Sequence, residues 1–125
     1  MKKLRKKYLI KADINKVWEA LTSNACITIW SNSKTNFVLK ENTEFTLWDS
    51  EVTGKTLNFI KGKELIQEWN FDNWHTPSLV KFLLVKQLKS TEVILINENI
   101  PDAAYQDIVQ GWDEYVFDPI KEFLE

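Results

Sequence analysis

The chain has 125 residues, 44% of them hydrophobic, which is enough for one domain with its own core and too few for a second. Sixteen basic and eighteen acidic side chains leave a net charge of -2, a balance that offers a nucleic-acid backbone no general attraction. The single cysteine, Cys26, cannot close an internal disulfide and has no metal-ligand spacing to the single histidine, His75. No metal or cofactor is therefore expected, and a reducing compartment, the cytoplasm, is the expected location.

The opening "MKKLRKKYLIKAD" is basic, but its apolar run is only Tyr8 to Ile10, far short of a secretion-signal core, so mature protein is expected. No stretch approaches the roughly 20 apolar residues that cross a bilayer. Lys2, Lys3, Arg5, Lys6 and Lys7 fit an exposed edge strand guarded by charge. Asp13 then precedes "INKVWEALT", where Ile14, Val17, Trp18 and Leu21 recur at helical spacing, and an Asp carboxylate caps the orphan amides of a first turn. A second short helix, "NACITIW", ends near Trp30 at the loop-forming "SNSKTN". Cys26 on that helix is expected to be a small buried residue.

From Phe37 to Asn99 the apolar period falls to about two, as pleated strands require. In "EFTLWDSEVTGKTLNFI", Phe45 and Leu47 point one way and Thr46 and Trp48 the other, with a tight reversal placed at Asp49-Ser50. Gly62 supplies the next turn. In "ELIQEWNF", Leu65, Gln67, Trp69 and Phe71 share a face. The apolar runs "SLVKFLLVKQL" and "TEVILINEN" predict strands partly covered on both faces.

After Pro101, Asp102 is placed as the N-cap of a long terminal helix. Tyr105, Val109, Trp112, Val116, Ile120 and Phe123 fall on one stripe, with Gln106, Asp107, Asp113, Glu114, Asp118, Lys121 and Glu122 mostly off it. Pro119 predicts a bend or restart. The order is strand, two short helices, antiparallel strands and a long helix, without internal repeats. This gives an α+β fold: a curved antiparallel sheet wrapped around the C-terminal helix.

The set "ADINKVWEALT", Trp30, "FTLWDSEVTGKTL", "ELIQEWNF", "SLVKF", "STEVILI" and "IPD" before "GWDEYVFDPIKEF" resembles the activator of heat-shock-protein-90 ATPase C-terminal-type domain. That family is a branch of the START-related, Bet v-like helix-grip (SRPBCC) superfamily. The resemblance covers nearly the whole chain, so residues 1–125 are expected to form a single helix-grip domain. One departure is the turn at Asp49-Ser50, where the family often has glycine, although Gly54 is retained. The resemblance implies a cavity between sheet and helix that holds hydrophobic small molecules in relatives. It also implies, in the eukaryotic co-chaperones, an additional N-terminal chaperone-binding domain, for which 125 residues leave no room.

The candidate lining is Trp30, Phe37, Phe45, Gln67, Trp69, Phe71, Phe82, Tyr105 and Trp112. Rings in such positions also serve simply to fill a core. Gln67 is the more telling member, because a buried polar atom without a partner costs roughly 1 to 3 kcal/mol. His75, beside Pro77, is placed in a surface loop, and no nucleophile or carboxylate pair accompanies it.

The expectation is non-enzymatic binding of a small hydrophobic molecule. A chaperone-associated interaction module of the stress response, with Trp48 and Trp74 facing solvent, is the alternative. A cyclase-like enzyme using Gln67, Tyr105 or Glu68 comes third. Nucleic acid and membrane are not expected partners, and both monomer and homodimer are open.

Overall fold

The computed structural model describes residues 1–71 and 74–125. Strand β1 (Lys2–Ile10) leads into helices α1 (Ile14–Thr22) and α2 (Asn24–Ser31). Strands β2 (Thr43–Leu47), β3 (Val52–Ile60), β4 (Glu64–Asn70), β5 (Ser78–Lys86) and β6 (Thr91–Ile100) follow. All six strands form one antiparallel sheet in the order β1-β6-β5-β4-β3-β2. Thus β1 is an edge strand, with Leu4, Tyr8 and Ile10 buried and Lys3, Arg5 and Lys7 in water.

Both caps form as their residue types dictate. Asp13 Oδ1 accepts the Asn15 and Lys16 amides at 2.8 and 3.2 Å, and Ser23 Oγ accepts the Cys26 amide. Cys26 itself is half-buried rather than buried. Ala20 accepts the Trp30 indole N–H at 2.8 Å, which ties the two helices together.

Two irregularities curve the sheet. Between Thr56 and Asn58, β3 has one residue more than β4 opposite it, so the inward phase passes from Val52, Gly54 and Thr56 to Phe59, which packs on Trp18. At the other end β6 has the extra residue opposite Lys2 to Leu4, with Asn99 at a φ of 62°. The sheet's inner face carries Leu65, Val80, Phe82, Val93 and Leu95 in the core. On the other face of β5 and β6 most side chains are half-buried and Val85 is exposed; Leu83 lies opposite Ile94 and Lys81 opposite Ile96, so part of the cover comes from cross-strand neighbours.

After Pro101 the chain makes a three-residue 3-10 turn (Asp102–Ala104), α3 (Tyr105–Gly111), a π-helical run (Trp112–Phe117) and α4 (Asp118–Leu124). The junction residues are right-handed helical throughout, so these are one continuous helical segment. Asp102 does not cap it. Its carboxylate takes the N-terminal ammonium at 3.2 Å, and the 3-10 turn starts without a side-chain cap.

The π run also corrects the predicted stripe. A wide i→i+5 turn adds a residue and rotates everything after it by about 100°. Trp112, Val116 and Ile120 are buried as expected, but the next inward position is Leu124. Phe123 is 36% exposed, and Phe117, off the predicted stripe, is fully buried. Phe117 stacks on Tyr8 with centroids 3.8 Å apart and planes 7° from parallel. Pro119 lies at the start of α4, where the π run passes into α-helix, so the helix changes type beside the proline but does not restart.

Gly54 carries a close approach. A Cβ there would collide with the Glu68 carbonyl oxygen and lie 2.5 Å from Cζ of Phe45, its cross-strand partner. Gly54→Ala is expected to destabilise the fold by about 1 to 3 kcal/mol, read as a lower denaturant midpoint in chemical unfolding.

Candidate functional site

The site begins with two tryptophans whose polar atoms are bound by the sheet. Trp112, the first residue of the π run, donates its indole N–H to Asn97 Oδ1 at 3.0 Å. Asn97 Nδ2 donates to Ser78 Oγ at 2.6 Å and to the Leu79 carbonyl at 3.0 Å, and Ser78 donates onward to the Glu98 carbonyl. Trp69 donates its indole N–H to Gln67 Oε1 at 2.9 Å, while Gln67 Nε2 donates to Thr56 Oγ1 at 3.2 Å. Gln67 is buried, as predicted, and both ends of its amide are engaged within the sheet. Among the described residues the buried side-chain polar atom left without a partner is Ser31 Oγ, away from this region.

The two indoles pack with ring centroids 4.9 Å apart. A third, Trp48, completes the wall by an unusual route. Leu47 pairs with Val52, so the connection has four residues, 48–51, in place of the two-residue reversal at Asp49-Ser50. Trp48, Asp49 and Ser50 all adopt left-handed conformations, with φ of 49°, 53° and 71°. Positive φ is uncommon outside glycine. The Asp49 amide donates to the Lys34 carbonyl at 2.9 Å and the Glu51 amide to the Trp48 carbonyl at 3.0 Å, which holds the loop. Strand alternation places Trp48 with Thr46 on the far side. The loop instead turns it onto Trp69 and Trp30, at centroid distances of 5.9 and 6.4 Å, and half-buries it. Trp74 is likewise half-buried, packed on Phe71 at 4.3 Å. Neither is the solvent-facing tryptophan that the interaction-module alternative supposed.

Between the terminal helix, the 48–51 loop and β4 lies an open cleft of about 330 Å³. Its lining is Trp48, Glu51, Val52, Trp69, Phe71, Asp107, Ile108, Gly111, Trp112, Tyr115 and Val116. Of the predicted lining it brings together Trp69, Phe71 and Trp112. Trp30, Phe37, Gln67 and Phe82 lie deeper, around a residual void of about 20 Å³. That interior has room for about one water, which needs about 10 to 15 Å³, and none for a larger ligand. Phe45 packs between Phe37 and Trp69, and Tyr105 lies under the Lys2 ammonium at 4.9 Å; neither borders the cleft.

Sequence reasoning missed Trp48, Glu51, Val52, Asp107, Ile108, Gly111, Tyr115 and Val116 as lining. Gly111 was the legible signal: a glycine inside a helical pattern costs about 1 kcal/mol against alanine and asks for a reason. A Cβ on Gly111 would meet only Tyr115 Cδ2 at 3.8 Å, an ordinary contact, so the missing side chain is space left to the cleft. Glu51 and Asp107 are exposed at its mouth, and the polar residues of the cyclase-like alternative, Gln67, Tyr105 and Glu68, do not border it. His75 is exposed. Among the described residues no group of three or more His, Cys, Asp or Glu is arranged to hold a metal ion, and no helix is long and apolar enough to cross a membrane.

The helix is also clamped at β1. Asp113 Oδ1 accepts from Lys6 Nζ at 2.7 Å and from the Tyr8 hydroxyl at 2.6 Å. Desolvation pushes the Asp113 carboxyl up, but the hydrogen bonds from Lys6 and Tyr8, with the charges of Lys6 and Lys121, outweigh it and hold the group below its ordinary 3.8. Burial, then the bond to Asp113 and the charges of Asp113 and Asp118, push the Tyr8 hydroxyl well above its ordinary range.

The architecture is that of the START-related, Bet v-like helix-grip superfamily. It superposes on an HSP90 activator from Plasmodium falciparum with a TM-score of 0.90, at 18% identity, over 97% of this chain and 94% of that one. It also superposes on the Aha1 dimer structure from Colwellia psychrerythraea with a TM-score of 0.84, at 17% identity, over 100% and 97% of the two chains. Residues 11–125 match the family described as Activator of Hsp90 ATPase homolog 1-like protein, and the chain belongs to that family. Curated relatives include the human activator of 90 kDa heat shock protein ATPase homolog 1, 19% identical over 85% of this chain and 32% of its own length. The Dictyostelium discoideum homolog is 26% identical over 91% of this chain and 28% of its own. The chain thus spans about a third of the length of the curated relatives it matches.

Trp112→Phe strips the partner from Asn97 Oδ1 and is expected to cost about 1 to 3 kcal/mol in urea unfolding. Because Asp113 is depressed in the folded state, its contribution is present above its ordinary value and lost as pH falls through the folded one. Wild type is therefore expected to lose more stability than Asp113→Asn between about pH 7 and about pH 3, measured by urea midpoints at each pH.

Proposed function

We propose that the chain binds a small hydrophobic molecule, without chemistry on it, in the cleft between the terminal helix and the sheet. The carrying observation is an open cleft of about 330 Å³ walled by Trp48, Trp69, Phe71 and Trp112, with helical Gly111 leaving its floor unfilled. That volume lies at the lower end of the roughly 300 to 1,000 Å³ usual for ligand sites, so the molecule is small, up to about four fused rings. Supporting it, the indoles of Trp112 and Trp69 have their N–H groups committed to Asn97 and Gln67, so these two walls are held in place before a ligand arrives.

A second function, docking on a heat-shock ATPase, is favoured by what the relatives are named for. The cleft's outer rim would serve it too, since Tyr115 is 59% exposed there.

Titration with the neutral dye Nile red tests the first function. Wild type is expected to bind, and Gly111→Leu, whose side chain fills the cleft, is expected to weaken binding by about tenfold or more. Gly111→Ala should raise stability by about 0.5 to 1 kcal/mol in thermal unfolding, because alanine restricts the unfolded chain and suits a helix. No binding by wild type, or equal binding by a folded Gly111→Leu, overturns the proposal.

A further inference from the structure

We infer that the molecule taken by the cleft is a hydrophobic cation, an amine or quaternary ammonium attached to an aromatic or aliphatic body; this rests on the hydrophobic-ligand function proposed above.

The inference comes from the sign of every charge and quadrupole that faces the space. Among the described residues of the lining the charged side chains are Glu51 and Asp107, both carboxylates, with no lysine, arginine or histidine. They come from opposite walls, Glu51 from the β2–β3 connection and Asp107 from α3, so a ligand head at the mouth lies between two negative groups. Behind them stand the rings of Trp48, Trp69, Phe71, Trp112 and Tyr115. An aromatic face is the negative part of its quadrupole and attracts an ammonium within about 6 Å.

An anion would meet no cationic side chain among the described lining residues, and two of the three indoles there have no N–H to offer. The indole N–H groups of Trp69 and Trp112 already donate to Gln67 and Asn97. Three of the five basic residues that the sequence clusters on β1 are drawn elsewhere: Lys6 is paired with Asp113, Lys3 with Glu98, and Lys2 lies over Tyr105. A neutral apolar molecule gains the ring contacts but leaves both carboxylates unused. A cation gains both, and the exposure of the carboxylates makes their share salt-dependent.

Calorimetric titration with three probes of one shape tests this: naphthylmethylammonium, naphthylmethanol and naphthoate. The ammonium is expected to bind about tenfold more tightly than the alcohol, with naphthoate weakest and the ammonium alone weakened by added salt. In a Glu51→Gln, Asp107→Asn double variant the ammonium preference should fall to about threefold while the alcohol binds as before, because the rings remain. Both positions are exposed, so the fold is retained. If Nile red binds wild type but the ammonium shows no advantage over the alcohol, or keeps its full advantage in the double variant, the inference falls and the hydrophobic-ligand function stands. If neither Nile red nor any naphthyl probe binds wild type, both fall together.

Discussion

The hydrogen bond from the Trp112 indole to Asn97, with the packing of that indole on Trp69, is the contact on which the rest of the molecule depends. It joins the terminal helix to the inner face of the sheet at a point where both partners are buried. Asn97 is in turn fixed by Ser78 and the Leu79 carbonyl on the next strand. A buried amide with every arm engaged tolerates little sliding, so the helix is located as well as held. Apolar burial supplies most of the attraction, but it is non-directional, and it is the polar contact that sets where along the strands the helix sits.

Three of the chain's departures from regular geometry border the cleft, while the bulges in β3 and β6 and the left-handed Asn32, Asn42 and Gly62 lie outside its lining. The helix widens to a π turn at Trp112–Phe117, the 48–51 loop runs through successive left-handed residues, and a glycine ends α3. Each costs stability in isolation, and each acts on the same space. The π turn lets Trp112, Val116 and Phe117 all face inward, the loop swings Trp48 over the opening, and Gly111 keeps the floor clear.

Membership of the Hsp90 ATPase activator-like family sits comfortably with this architecture, and the two levels carry different information. The family match and the superpositions define the helix-grip frame over nearly the whole chain. What the frame does is decided by the groups facing its cleft, because one scaffold serves many functions through its lining. Here the deep interior retains about 20 Å³, and the aromatic-walled cleft of about 330 Å³ lies between the terminal helix, the 48–51 loop and β4.

Local physics was legible in the chain itself. The Asp13 cap, the lysine-guarded edge strand and the inward set Leu65, Gln67 and Trp69 each follow from interactions within a few residues, so their residue types announce them. Hence the sequence alone determined the elements, their order and the helix-grip class. The position of the cleft was not legible, because it depends on phase and on distant partners. One added residue in the π turn exchanged Phe123 for Phe117 in the core, and a loop held by Lys34 turned Trp48 inward against strand alternation. Rings such as Phe37, Phe45 and Phe82 have the same chemistry whether they fill a core or line a cavity. Only the tertiary structure decided which did which, since a void is a property of how elements meet and no single segment encodes it.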